Sequence, residues 1–240
     1  MSKFFEELDY CPTPIGALSL RRRHILSLGV DVHEILLGDE HLMSTLFTAS
    51  EVALARLGIA ELEGQDLDVV VGGLGLGYTA QAVLEHEQVA ALTVIEMLEP
   101  VIRWHTEQLV PLKPPLQDDP RCHIRQADFF ALAASAEGFD ADRPGHQHDA
   151  ILIDIDHTPD HWLDARSGRF YSQEGLARLA AHLKPKGVMG LWSDAVEDEQ
   201  ITARLASVFE RARAEPVTFK NPLQDNRPFT QTVYLARKAP

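Results

Sequence analysis

Short apolar runs that alternate with helical stretches constrain the fold of this chain more than any other feature. The runs span Leu67–Val71, Leu92–Glu96, Cys122–Gln126, Ala150–Asp154 and Val188–Trp192. The segments between them have apolar residues at helical spacing. Wholly apolar strands in alternation with helices are typical of a parallel sheet that is covered on both faces. The sequence therefore predicts an α/β domain with at least five parallel strands.

The end of the chain adds two further strands to this pattern. After a helix near Glu197–Arg213 we expect β-prone runs at Pro216–Phe219 and Thr230–Ala236, joined by the turn-rich Asn221–Arg227. A parallel crossover needs about a dozen or more residues, so this short connection favours an antiparallel hairpin. A mostly parallel seven-stranded sheet with such a C-terminal hairpin is the Rossmann-like arrangement of the class I methyltransferases.

The first 60 residues have a different pattern. Short β-prone runs broken by Arg21–Arg23 come first: Ala17–Leu20, His24–Leu28 and Val32–Leu37. Helical spacing of apolar residues then extends from Asp39 or Ser44 to about Leu57. We expect a small β-region with a linking helix over residues 1–60 and the larger domain over residues 61–240.

Closely spaced glycines follow the first apolar run. Gly72, Gly73, Gly75 and Gly77 stand between that run and a helix that begins at Tyr78. Glycines permit a tight turn, leave no Cβ in the path of a ligand and expose the amides of the helix N-terminus. The glycine loop, residues 72–77, is therefore a candidate ligand site. A purely structural turn is the alternative.

Three carboxylates stand at or just after the ends of the next three predicted strands: Glu96, Asp128 and Asp154. Ligands of open α/β sheets bind outside the carboxyl ends of the strands, so these side chains should surround one crevice. Glu96 lies about twenty residues past the glycine loop, where a carboxylate can bind both ribose hydroxyls. The glycines lack the GxGxxG spacing of dinucleotide sites. An acidic crevice of this kind suits an adenosyl sulfonium cation better than a pyrophosphate.

Composition indicates which partners and which cellular compartment to expect. The chain has 36 acidic and 22 basic residues and a formal charge of −14, which disfavours nucleic-acid partners. The two cysteines, Cys11 and Cys122, lie far apart and fit a reducing cytoplasm. The stretch Met1–Tyr10 lacks the features of a secretory signal. The apolar runs are shorter than the roughly 20 residues that cross a bilayer. We therefore expect a cytoplasmic protein without a membrane partner.

Five segments between about Val69 and Ala236 together form a recognisable pattern. They are the glycine loop, Val94–Glu96, Gln126–Phe130, Asp149–Asp154 and Phe170–Leu176. In these segments the chain resembles the spermidine synthase family of aminopropyltransferases. The resemblance implies that Glu96 binds the ribose and that Asp128, beside Ala127, binds the adenine amino group. It also implies that Asp154 is the catalytic base. The implied donor is S-adenosylmethionine or its decarboxylated form, and the implied acceptor is an amine or polyamine. Relatives commonly form homo-oligomers.

Two motifs depart from the family. Gly75 stands where the glycine loop usually has an aspartate that binds the terminal amine of the donor. The family motif Asp-Ser-Ser-Asp-Pro is replaced by Asp154-Ile155-Asp156-His157-Thr158-Pro159, which moves the second carboxylate by one residue. The first departure leaves methyl transfer from intact S-adenosylmethionine open as an alternative. A noncatalytic nucleoside-binding protein is a third hypothesis.

The remaining candidates have both functional and structural interpretations. Asp156 can add negative charge for a polycationic acceptor or lie in a solvated loop. Trp192 can line the acceptor pocket or pack in the core, and Tyr78 can flank the donor or pack at the helix start. The HxH pair His146 and His148 has the spacing of metal ligands, but no third ligand of matching pattern is nearby in the sequence. We therefore expect surface histidines and no bound metal.

Overall fold

The computed structural model describes residues 4–240, except for the side chains of residues 165 and 166. The first three residues of the stretch Met1–Tyr10 lie outside the described part. The strands are β1 (Phe5–Thr13), β2 (Gly16–Ile25), β3 (Val30–Leu37), β4 (Glu40–Ser44), β5 (Leu67–Gly72), β6 (Val89–Glu96), β7 (Cys122–Gln126), β8 (His148–Ile153), β9 (Leu183–Ser193), β10 (Arg211–Asn221) and β11 (Arg227–Arg237). The helices are α1 (Ala49–Ala60), α2 (Tyr78–Leu84), α3 (Glu99–Thr106), α4 (Phe129–Ala134), α5 (Gln173–Ala181) and α6 (Glu199–Ala206).

Seven strands form the larger sheet in the order β10-β11-β9-β8-β5-β6-β7. The strands from β9 to β7 in that order are parallel, and β11 is antiparallel to both β9 and β10. The predicted mostly parallel sheet with a C-terminal antiparallel hairpin is therefore confirmed. Because β5 lies in the interior beside β6 and β8, the loops after these strands meet at one carboxyl edge.

The smaller sheet is an antiparallel meander in the order β1-β2-β3-β4. The predicted break at Arg21–Arg23 is wrong, because these residues continue β2 and face acidic partners. Arg22 bonds Glu6 on β1 at 2.7 Å. Cross-strand pairs of opposite charge let a basic segment remain a strand.

Two predicted helix bounds are also wrong. Residues expected to begin the first helix form β4, because Glu40–Ser44 pairs with β3, and α1 begins only at Ala49. The last helix ends at Ala206, well before the predicted Arg213. The reason is that β10 pairs with β11 along its full length, from Arg211 to Asn221. In each case pairing with a neighbouring strand overrides the local helical pattern.

Helix α1 packs on the larger sheet through its buried side. Leu54 and Ile59 are fully buried in a core cluster that also contains Leu18 of the smaller sheet and Leu152 of β8. The missing Cβ of Gly58 leaves room for the Leu152 side chain. This packing fixes the first turn of α1 beside the carboxyl edge of the sheet. The division of the chain at residue 60 stays a prediction. Among the described residues, no helix has both the length and the apolarity to span a membrane.

Replacement of Leu54 by alanine should lower the free energy of unfolding by about 2–5 kcal/mol, because it leaves a cavity between α1 and the sheet. Chemical denaturation measures this loss. Arg56→Ala is the matched control, since Arg56 is exposed on the same helix and pairs with Glu85, and it should change stability by less than about 1 kcal/mol. Equal effects of the two substitutions would contradict the described packing.

Candidate active site

A cavity of about 690 Å³ lies at the carboxyl edge of the larger sheet. The strand ends contribute Glu96, Asp128 and Asp154, and the glycine loop contributes Gly73 and Gly75. The smaller sheet and the turn between β1 and β2 add apolar side chains, which include Ile15, Leu18, Ile35, Leu42 and Met43. A largely apolar cavity with a few polar groups is typical of small-molecule sites. The structure thus brings the three predicted carboxylates together.

The glycine loop is tightly packed where it borders the cavity. Gly73 has a φ of +93°, and a Cβ there would collide with the backbone oxygen of Asp154. Gly75 has a φ of +47°, and a Cβ there would collide with Sδ of Met43. The same sulfur accepts a hydrogen bond from the Leu76 amide at 3.0 Å. An aspartate at position 75 would therefore have to displace Met43.

The Glu96 carboxylate is fixed by backbone amides at the end of β6. Its Oε2 accepts a hydrogen bond from Leu74 N at 3.0 Å, and its Oε1 accepts one from Leu98 N at 2.7 Å. Burial raises the pKa of Glu96, and these backbone hydrogen bonds oppose the rise. A carboxylate oxygen accepts more than one hydrogen bond, so both oxygens can still bind hydroxyl groups of a ligand.

Asp128 is the N-cap of α4. Its Oδ1 accepts hydrogen bonds from Phe130 N at 2.9 Å and Ala131 N at 3.1 Å. Those bonds fix the side chain beside Phe130, which also lines the cavity. Among the described residues, the cavity lining includes neither the neighbouring Ala127 nor Gly72, Gly77 and Tyr78. Tyr78 instead packs against the core at the start of α2.

Asp154 follows β8 and lines the cavity. Its Oδ2 accepts a hydrogen bond from Thr79 Oγ1 at 2.6 Å, and its amide donates to Gly72 O at 2.8 Å. Burial raises the pKa of Asp154 to about 6, although the Thr79 hydroxyl opposes the rise. The carboxylate is therefore held in place and is a stronger base than an exposed aspartate.

A second acidic side chain, Glu51 of α1, also lines the cavity. Burial and the negative charge of Asp154 raise the pKa of Glu51 to about 7. Sequence reasoning missed this residue. Glu51 occupies the same face of α1 as the buried Leu54, Ala55 and Gly58, so a charged residue within the apolar stripe was the signal that could have identified it.

Hydrogen-bond counting supports a proton on Glu51. Ser50 Oγ lies 2.6 Å from Glu51 Oε2, 2.7 Å from Gln231 Oε1 and 2.8 Å from Nε1 of Trp192. A serine hydroxyl donates one hydrogen bond and accepts two. Gln231 Nε2 donates to Asp194 at 2.6 Å, so its Oε1 needs the serine proton. Ser50 then accepts from Trp192 and from a protonated Glu51.

Asp156 and Trp192 both line the cavity, as the sequence suggested. Asp156 is buried, and its two oxygens accept hydrogen bonds from Leu163 N at 2.8 Å and Tyr171 Oη at 2.9 Å. The carboxylate therefore fixes the segment between residues 156 and 171 beside the cavity. The solvated-loop interpretation of Asp156 does not fit this position, because only 3% of the residue is exposed.

The expectation of surface histidines is wrong for His148, which is 1% exposed. His146 and His148 both hydrogen-bond the Asp68 carboxylate at 2.8 Å. The third polar group near the HxH pair is therefore supplied by β5, 78 residues earlier than His146. Sequence spacing alone gave no indication of this neighbour.

Replacement of Glu51 by glutamine should change how stability depends on pH. The raised pKa of about 7, against an ordinary 4.5, means that folded protein binds this proton more tightly than unfolded protein. The free energy of unfolding should therefore fall as pH rises from about 4.5 to 7. Glu51→Gln removes this fall and should be more stable than wild type at pH 8, by on the order of 1–3 kcal/mol.

Denaturant titrations at pH 5 and pH 8 measure this difference. Glu107→Gln is the control, because Glu107 is exposed immediately after α3 and lies outside the cavity lining. Identical pH profiles for Glu51→Gln and wild type would show that Glu51 has an ordinary affinity for protons.

No protein-family model matches the chain. Polyamine aminopropyltransferase 1 of Streptomyces coelicolor is 32% identical over 129 residues, which are 52% of this chain and 22% of that protein. The chain thus matches about a fifth of the length of this curated relative. The name of this relative agrees with the family that the sequence motifs resemble.

Solved structures are similar over more of the chain. A spermidine synthase in complex with the transition-state analogue AdoDATO has a TM-score of 0.72 at 18% identity, over 97% of this chain and 74% of that one. Human methyltransferase-like protein 13 in complex with SAH has a TM-score of 0.59 at 19% identity, over 80% of this chain and 83% of that one. The chain therefore has the methyltransferase-like α/β fold that the sequence predicted, and it resembles the spermidine synthases in both sequence and structure.

Proposed function

We propose that this chain is a spermidine-synthase-like transferase that moves an aminopropyl group from decarboxylated S-adenosylmethionine to an amine. The buried carboxyl groups of Glu51 and Asp154 on one cavity are the observation that carries this proposal. The described partners of these carboxyl groups are the hydroxyls of Ser50 and Thr79, and neither hydroxyl carries a positive charge. A cationic ligand would therefore supply the positive charge that an ionised pair requires.

We assign the adenosine end of the donor to Glu96 and Asp128, which line the same cavity. Glu96 would accept hydrogen bonds from the ribose hydroxyls with the free capacity of its two oxygens. Asp128 would accept one from the adenine amino group through Oδ2, because the helix amides use Oδ1. The glycine loop would lie against the ribose and the sulfonium. The solved relatives that bind AdoDATO and SAH support an adenosyl ligand of this type.

The tail of the donor distinguishes the two transfer reactions. Intact S-adenosylmethionine carries a carboxylate, and Glu51 and Asp154 would repel it at close range. The decarboxylated form carries only an ammonium at that end. In the family, an aspartate of the glycine loop binds the terminal amine of the donor. Here Gly75 stands at that position and Met43 fills the space of its side chain, so we assign the amine-binding role to Glu51. This assignment favours aminopropyl over methyl transfer.

The reaction itself needs a neutral amine in line with the bond from sulfur to carbon. As the nitrogen forms its bond to that carbon, the carbon–sulfur bond breaks and its electron pair stays on sulfur, which gives neutral methylthioadenosine. The amine proton passes to Asp154, whose raised pKa lies close enough to neutrality for this role. Correct placement of the two reactants contributes to the rate as well. Asp156 and Trp192 would border the acceptor.

Calorimetry with three nucleosides tests the donor. At pH 8 we expect decarboxylated S-adenosylmethionine to bind more tightly than intact S-adenosylmethionine and than methylthioadenosine. Glu51→Gln should weaken the decarboxylated donor by at least about tenfold, since it removes a buried charge partner, and should leave methylthioadenosine unchanged. Glu107→Gln is the matched control.

Each other outcome contradicts the proposal in a defined way. Tighter binding of intact S-adenosylmethionine would favour a methyltransferase. Absence of binding by all three compounds would remove the basis for either enzyme. Nucleoside binding without any transfer product, measured by mass with putrescine and spermidine as acceptors, would indicate a noncatalytic nucleoside-binding protein.

Asp154→Asn should lower kcat by about a hundred- to ten-thousandfold, because the amine loses its proton acceptor, while the donor still binds. In the wild type, kcat/KM should fall as pH decreases through about 6, where Asp154 of the free protein becomes protonated. Asp142→Asn is the control, since Asp142 is exposed in the loop before β8. Unchanged turnover in Asp154→Asn would exclude the assigned role.

The cytoplasmic location and the homo-oligomer stay predictions.

A further inference from the structure

A second group of ligating side chains lies at the amino edge of the larger sheet, opposite the cavity. Asp68 is the second residue of β5, His148 is the first residue of β8, and His146 precedes it in the adjoining loop. His146 Nε2 lies 2.8 Å from Asp68 Oδ2, and His148 Nδ1 lies 2.8 Å from Asp68 Oδ1. One ligand atom from each residue thus lies within 4.8 Å of the others.

We propose that Asp68, His146 and His148 bind one divalent transition-metal ion, with Zn²⁺ as the reference ion. Two imidazole nitrogens and a carboxylate are a donor set that suits zinc and its neighbours, whereas calcium and magnesium prefer oxygen ligands. Ligand atoms of a tetrahedral zinc site are separated by about 3.3 Å, given bonds of about 2.0 Å. The present spacing therefore requires only small side-chain movements. A water molecule would complete the coordination.

The three ligands are partly preorganised and accessible from one side. His148 is buried against the ring of Phe139, with the ring centroids 6.0 Å apart. The Asp68 amide donates to Asp149 Oδ2 at 2.8 Å, which fixes the backbone of the carboxylate ligand. His146 has 22% of its side chain exposed. An ion can therefore enter on the side of His146 and join β5 to the loop before β8.

Arg143 is the competing cation. Its Nη2 lies 3.5 Å from Asp68 Oδ2 and 2.7 Å from Asp140 Oδ2, and 59% of its side chain is exposed. Arg143 can thus keep its pair with Asp140 when a metal takes Asp68. Removal of this charge should strengthen metal binding, whereas removal of a ligand should weaken it. General attraction to an acidic surface would also increase when Arg143 is removed, but it would not decrease when a neutral histidine is removed. The weakening on removal of a histidine therefore distinguishes coordination from general attraction.

The amino-edge site is separate from the proposed transfer reaction. Four residues of β5 lie between Asp68 and Gly73, and the five residue-to-residue steps span about 17 Å at about 3.3 Å per residue. The metal would act as a structural link rather than as a group in the cavity. Metal binding and donor binding can therefore succeed or fail independently.

Titration of tag-free, metal-stripped protein with Co²⁺ and Zn²⁺ tests this proposal. We expect one equivalent of Co²⁺ to bind with visible d–d absorption, and Zn²⁺ to displace it. His146→Ala should weaken the affinity at least about tenfold, and Arg143→Gln should strengthen it. His123→Ala is the matched control, because His123 is exposed on β7, and should bind as the wild type does.

Two results would overturn the metal site. One is the failure of wild-type protein to bind a stoichiometric metal ion. The other is equal affinity in wild type and in a folded His146→Ala variant, as judged by circular dichroism. Arg143→Gln provides a second test if His146→Ala does not fold, since Arg143 is mostly exposed. Equal or weaker binding in Arg143→Gln would show that the ion does not use Asp68.

Discussion

The close contact between the glycine loop and the chain after β8 is the constraint on which the rest of the site depends. The Asp154 amide donates to Gly72 O, and only a glycine at position 73 fits against the Asp154 carbonyl. This contact places the Asp154 carboxylate on the cavity and leaves Thr79, at the start of α2, within hydrogen-bond distance. A side chain on Gly73 would separate the two segments and open the cavity.

Helix α1 completes the acidic part of the cavity from outside the parallel sheet. Glu51 has its pKa raised by burial and by Asp154. Stability and ligand binding therefore favour opposite protonation states of Glu51 and Asp154. The folded protein is most stable with a proton on this pair, whereas a cationic ligand binds best when the pair is ionised.

The sequence was sufficient for features that depend on local order along the chain. Glu96, Asp128 and Asp154 were predicted because each stands at or just after the end of an apolar run, and parallel strands bring such ends to one edge. Features that depend on distant pairing were missed. The strand β4 and the continuous β2 exist because of cross-strand partners, and Glu51 meets Asp154 only after α1 packs on the sheet. The contact of Asp68 with His146 and His148 was missed for the same reason, since it depends on the pairing of β5 with β8.

Proton release on ligand binding tests the central claim most directly. Calorimetry at pH 6.5 in buffers of different ionisation enthalpy gives the number of protons that leave the protein when decarboxylated S-adenosylmethionine binds. If Glu51 and Asp154 form the cation site, their pKa values should fall in the complex and protons should be released, whereas neutral methylthioadenosine should release few or none. Equal proton release by the charged and the neutral ligand would contradict this account.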